Sequence, residues 1–277
     1  MEITVGLFLL LIVLTFFCEY IDATFGMGYG TILAPILLII GFDPITCIPA
    51  LLLSQAVGGM AASVFHHQFE NVSFSRDSDD LKAALLISSF GIVATIVAAF
   101  VAVHISTIVL KTYIGILVFV MGVIVLMNRK FKFSWKKMVV VGALSAFNKG
   151  LSGGGFGPVV TAGQIMSGQK HKAAIGVTTL AEVPICATAF FAYLIARTIA
   201  EVNPPILGLS VGSFMKTMFS PAMFNWELML ALLIGVVLVA PFGAFTTKKL
   251  SDKYMHLILG SLIAILGLWE LLDTYLK

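Results

Sequence analysis

Charge is what this sequence has least of. Lys and Arg number 17 and Asp and Glu 14 among 277 residues, 11% in all, where an ordinary soluble domain carries about a quarter. A water-soluble chain is thereby excluded. With 59% apolar residues and a mean hydropathy of +1.04, the apolar surface exceeds what a core of this size buries, so lipid must be the solvent. The alternating blocks of about ten residues that mark a membrane β-barrel are missing too. Cysteine is sparse: Cys18, Cys47 and Cys186 lie in or beside apolar runs. Odd in number and without metal-ligand spacing, they suggest neither a disulfide framework nor a metal site and read as small core residues. Basic residues form no stripe interleaved with aromatics, which argues against nucleic acid as a partner. No Ser/His, paired-Asp or His-x-x-x-His constellation suits chemistry at membrane depth, so neither an enzyme nor a cofactor is expected.

What is present is a series of apolar runs, several of them continuous over about the twenty residues a spanning helix needs. The first, Ile3 to Cys18, starts after Glu2 and runs on into Glu19, Tyr20 and Asp22. It lacks the basic leader and small-residue cut of a secretory signal and is expected in the mature protein. Thr31 to Gly41 and Thr46 to Phe65 follow, the latter ending at His66 and His67, neighbours that face different sides of a helix and so chelate poorly together. Leu81 to Val103 and Thr107 to Met127 close a first set. After Arg129, Lys130, Lys132, Lys136 and Lys137 comes a second set: Met138 to Asn148, Val159 to Gly168, Ala173 to Ala196, Glu227 to Ala244 and Met255 to Leu272. The expected fold is all-α and polytopic, with a first transmembrane repeat over 1–128, a basic cytoplasmic linker over 129–137 and a second transmembrane repeat over 138–277.

The two sets are copies. Sliding the chain by 127 positions places Gly26 on Gly153, Gly28 on Gly155, Gly30 on Gly157, Asp22 on Lys149 and Gln55 on Glu182; a shift of 145 then places Gly122 on Gly267. Short cytoplasmic loops carry the excess of Lys and Arg. Putting the linker inside, together with Lys170, His171, Lys172, Lys248, Lys249 and Lys253, requires an odd number of crossings between matching points. The repeats are then inverted, and the long link over 197–226 falls outside.

Each copy has a short run broken by glycines: Phe-Gly-Met-Gly-Tyr-Gly over 25–30 and Leu-Ser-Gly-Gly-Gly-Phe-Gly over 151–157. Inverted repeats with such segments at matching positions point to a transporter's substrate site, because backbone loses its helix at membrane depth only where protein or a wet cavity satisfies it. Glycine N–H groups can curl into an anion nest, beside a helix N-terminus of partial positive charge. The candidate substrate-binding residues are Gly153, Gly154, Gly155, Gly157, Ser152, Lys149, Asn148, Gly26, Gly28, Gly30, Gln55, Thr178 and Thr179. Lys149 either neutralises an oxyanion or pairs with Asp22 or Glu182. Gln55 suits an interhelical hydrogen bond as well as a ligand, and the hydroxyls of Thr178 and Thr179 suit their own helix carbonyls as well as a substrate. Glu182 lies mid-helix, where a carboxylate is expensive and therefore functional by default, and with Asp22 it is the candidate for proton coupling.

The doubled unit, with a short apolar run leading into Gly-Met-Gly-Tyr-Gly or Gly-Gly-Gly-Phe-Gly and with Pro35 and Pro158 nearby, resembles the sulfite exporter TauE/SafE family, also called the toluene sulfonate uptake permeases. The resemblance covers the whole chain. It implies a secondary transporter in the cytoplasmic membrane for small sulfur-containing anions such as sulfite, sulfonates or sulfoacetate, without an ATP-binding part. A passive anion channel and a carrier of a non-sulfur organic anion are the alternatives, and a homodimer is left open.

Overall fold

The computed structural model describes residues 3–127, 135–166, 169–201, 210–220, 225–249 and 255–276, and their regular structure is helical throughout. The first half holds α1 (Val5–Phe25), α2 (Tyr29–Ile40), α3 (Pro44–Gln68), α4 (Asp79–His104) and α5 (Thr107–Met127). The second holds α6 (Trp135–Ser152), α7 (Gly157–Met166), α8 (His171–Glu201), α9 (Val211–Met218), α10 (Trp226–Lys249) and α11 (Met255–Leu276). Among the described residues, α1, α3, α4, α5, α8 and α10 are long and apolar enough to cross a membrane. Of the basic residues used for orientation, Arg129, Lys130, Lys132 and Lys253 lie outside the described residues.

Local chemistry sets the ends. Thr4 caps α1 by accepting from the Leu7 N–H at 3.3 Å, and Ser78 caps α4 in the same way from Leu81 at 3.2 Å. Helix α1 stops at Gly26, whose left-handed φ of 68° reverses the chain while its N–H still donates to the Asp22 carbonyl. Gly41 ends α2 with a φ of 112°, and Pro44 opens α3 at a position where no N–H is needed. Two boundaries differ from the sequence expectation. Helix α6 begins at Trp135, inside the expected linker. The expected link over 197–226 is shortened by α8 running on to Glu201 and by α9, capped by Ser210.

The helices nest in a closed order. Central α3 and α8 pack on each other; α3 also packs on α10, and α8 on α4. Outside them α1 lies on α10 and α6 on α4, while α5 and α11 form a separate pair with α2 against α11. Glycine permits several of these crossings: Gly235 of α10 lies against Thr15 of α1, and Gly122 of α5 against the backbone of Ala264 in α11. Large apolar side chains cover the outer faces, among them Leu9, Val13 and Phe17 on α1 and Val237, Leu238 and Phe242 on α10. Exposed to water they would associate; exposed to lipid they are in their solvent. Lys172, at the start of α8, donates to the Lys248 carbonyl at the end of α10 at 2.6 Å, so these basic termini share one end of the bundle.

Candidate functional site

The two glycine stretches meet. A Cβ on Gly30 would overlap the carbonyl oxygen of Gly153, and one on Gly157 would overlap the carbonyl oxygen of Gly26. Only glycine permits two backbones to approach this closely. Gly28, Gly153 and Gly155 take positive φ values of 132°, 76° and 82°. Neighbouring groups absorb the backbone polarity freed by the breaks. Tyr29 N–H donates to Asp22 Oδ1 at 3.1 Å, Gly155 N–H to Thr31 Oγ1 at 3.0 Å, and Gly154 N–H to Ser152 Oγ at 3.1 Å. Gly153 N–H donates to the Lys149 carbonyl at 2.8 Å.

Beside this junction, side chains from four helices form one polar cluster. Gln55 of α3 donates from Nε2 to Glu182 Oε2 of α8 at 2.9 Å and to Asp22 Oδ2 of α1 at 3.2 Å. Lys149 of α6 donates to Gln55 Oε1, and its Nζ lies 3.5 Å from Glu182 Oε1. None of the four is more than 4% exposed. A buried charge is tolerated when it is paired and its remaining hydrogen-bond capacity is used, and Gln55 serves both carboxylates and the ammonium at once. Lys149 thus takes the ion-pair arrangement with Glu182, and Gln55 the interhelical one.

The remaining candidates divide. Ser152 bonds the Asn148 carbonyl at 2.8 Å, and the Asn148 side chain accepts from the Tyr113 hydroxyl of α5. Thr179 donates to its own helix at Ile175 O, 2.9 Å away. Thr178 instead faces α7: its hydroxyl accepts from Gln164 Nε2 at 2.7 Å and lies 3.0 Å from Thr161, which in turn donates to the Gly26 carbonyl. His66 is buried with Nε2 2.8 Å from Ala23 O, while His67 is exposed, so the two rings do face different sides.

Several residues in this region escaped the sequence reading. Thr31, Tyr113, Thr161 and Gln164 carry no signal of their own, since neutral side chains in apolar runs are common. Glu19 had one. It stands three residues before Asp22, on the same face of α1, and is 1% exposed. Among the described residues no group of three or more His, Cys, Asp or Glu is arranged to hold a metal ion.

No solved structure matches the chain. A protein of Bacillus subtilis (strain 168) named as a probable membrane transporter, YtnM, is 24% identical over 270 residues, covering 93% of this chain and 80% of its own length. The profile of the sulfite exporter TauE/SafE family matches residues 11–270, a span that takes in both glycine stretches and all four members of the polar cluster, and the chain belongs to that family.

Proposed function

We propose that this membrane transporter is a secondary carrier of small sulfur-containing anions, built from two inverted repeats that move against each other around the glycine junction in the cytoplasmic membrane. The packing supports the repeat. Exchanging residues by the 127-position shift turns the Gly30–Gly153 contact into the Gly157–Gly26 contact, and the 145-position shift turns Gly122 against Ala264 into Gly267 against Phe119. Helix pairs exchange as well: α1 with α10 becomes α6 with α4, and α3 with α10 becomes α8 with α4. Within the junction, residues 26–30 and 153–157 run antiparallel, the arrangement a two-fold axis in the membrane plane produces.

The observation that carries the carrier reading is the burial of Lys149 between the halves, held by Glu182 and Gln55. A cation at this depth needs a counter-charge, and an oxyanion supplies one. In this closed arrangement the N–H groups of Gly153, Gly154 and Gly155 are satisfied by Lys149 O, Ser152 and Thr31. As the halves part, an anionic head group takes over these donors and the Lys149 ammonium, with Asn148, Thr178, Gly26, Gly28 and Gly30 bounding the space. Glu182 and Asp22, relieved of Lys149 and Gln55, exchange protons with the open side. A passive channel needs no such exchange of partners.

Charge movement in proteoliposomes tests the reading, on rapid addition of sulfite, thiosulfate, sulfoacetate, taurine, sulfate and simple carboxylates, each with and without a pH gradient. A saturable, pH-dependent response to a sulfur anion, accelerated by substrate on the opposite side, is expected. Response to carboxylates alone rejects the substrate class, and unsaturated current without counterflow favours the channel.

A further inference from the structure

One face of α1 carries two buried oxygens that the cluster leaves unused. Glu19 Oε2 and Thr15 Oγ1 have no hydrogen-bond partner among the described residues. Both residues are sealed from solvent, Thr15 at 0% and Glu19 at 1% exposure. They stand four residues apart, so their side chains are neighbours across one helical turn. Glycines from two other helices flank them. A Cβ on Gly58 of α3 would sit 2.9 Å from Glu19 Oε1, and one on Gly235 of α10 would sit 2.7 Å from Thr15 Cβ. Buried polar atoms are almost always paired, and an orphan oxygen marks a ligand or water position.

The charge count points the same way. Glu19 feels Asp22 from its own helix, Glu182 from α8 and Lys149 from α6. Cys18 of α1, Cys186 of α8 and Tyr29 of α2 are also within its electrostatic reach. From α3, Gly58 lies against it and carries no charge. One lysine therefore faces three carboxyl groups. Lys149 is already engaged by Glu182 and Gln55, and Asp22 by Tyr29 N–H and Gln55. Glu19 alone is left with an uncommitted oxygen.

The geometry points to a site for a small monovalent cation, a proton or Na⁺, at Glu19 Oε2 with Thr15 Oγ1 beside it, between α1, α3 and α10. Occupancy adds a positive charge one helical turn from Asp22 and so alters the balance that holds Lys149 in the cluster. That coupling role rests on the carrier reading above; the site itself does not.

Two measurements on the purified full-length protein test it without any transport assay. The first is thermal unfolding in NaCl against choline chloride at equal ionic strength. The second is the infrared carbonyl band of protonated carboxyl groups, followed from neutral to mildly acidic pH. A Na⁺ site raises the wild-type midpoint by about 3 °C or more at saturating Na⁺, an effect absent in Glu19→Gln and reduced in Thr15→Ala. A proton site gives no Na⁺ effect but a carboxylic acid band that disappears in Glu19→Gln, persists in Glu182→Gln and moves in Thr15→Ala. If Glu19→Gln does not fold, Glu19→Asp serves instead, with a weakened Na⁺ response or a displaced band. A wild type with neither signature overturns the site, as does a signature that Glu19→Gln or Glu19→Asp leaves unchanged. Absence of sulfur-anion transport by the wild type with the signature present would reject the carrier substrate and keep the site.

Discussion

Replacing Lys149 by Met keeps an unbranched side chain only one atom shorter and removes its charge, which makes the energetics of the buried cluster measurable. At the observed 3.5 Å between Nζ and Glu182 Oε1, and at an effective dielectric of about 20, the gross attraction is about 5 kcal/mol. Desolvation of both ions offsets much of it, but a single replacement still leaves Glu182 buried without its cation, a loss of about 3–5 kcal/mol. Glu182→Met strands Lys149 in the same way and should be of similar size. The double variant leaves neither charge exposed to an apolar interior, so its loss should be well below the sum of the two, with a coupling of about 2–3 kcal/mol. Thermal unfolding of the detergent-solubilised protein reads this out. At about 2–4 °C per kcal/mol for a chain of this size, each single variant should fall by about 10 °C and the double variant by about 15 °C, short of the additive 20 °C. Additive losses would refute the ion-pair argument and return Lys149 to the role of an independent group.

Gly30→Ala should abolish folded protein, because its Cβ meets the Gly153 carbonyl. Gly142→Ala, whose Cβ would lie an ordinary 3.5 Å from Ile87 Cγ2, should express normally; size-exclusion profiles of the two decide. Gly122→Ala and Gly267→Ala place a Cβ against the backbone of Ala264 and of Phe119 respectively, and their midpoints should drop by equal amounts if the two-fold relation holds. Thr31→Val removes the acceptor of Gly155 N–H and orphans a buried donor, an expected loss of about 1–3 kcal/mol in unfolding experiments. Glu182→Gln should flatten the pH dependence of transport in proteoliposomes; an unchanged profile would remove Glu182 from proton coupling.

Long apolar runs made most of the helices legible. Thr107 to Met127 was read with its ends in place, and α4 and α10 extend only a few residues past their apolar cores, where Asp79, Asp80, Lys248 and Lys249 sit at favourable ends of the helix dipole. The first helix was cut too short. Glu19 and Asp22 look like the end of a run, yet α1 carries them to Phe25, because neither faces lipid. Pairing across the repeat was half legible: the shift that sets Asp22 on Lys149 and Gln55 on Glu182 selected the four residues that meet. Which of them bond each other depends on how the helices cross, and a linear shift does not encode that. Glu19 was passed over for a related reason. It has an apolar counterpart, Ala146, so comparing the copies gave it no weight, although its spacing from Asp22 on one helix face was there to be read.

The contact between the glycine stretches also bears on how such a molecule can change over time. At Gly30 and Gly157 the obstructing atoms are peptide carbonyls rather than side chains, so no substitution elsewhere makes room and a suppressor screen has nothing local to find. The glycine of each half is thus bound to the backbone of the other. Novelty is then channelled to positions just beyond the contact. There the copies have diverged: Thr161, Gln164 and Thr178 stand opposite Ala34, Leu37 and Leu51. The second half therefore buries polar side chains beside the junction at positions where the first half carries apolar ones.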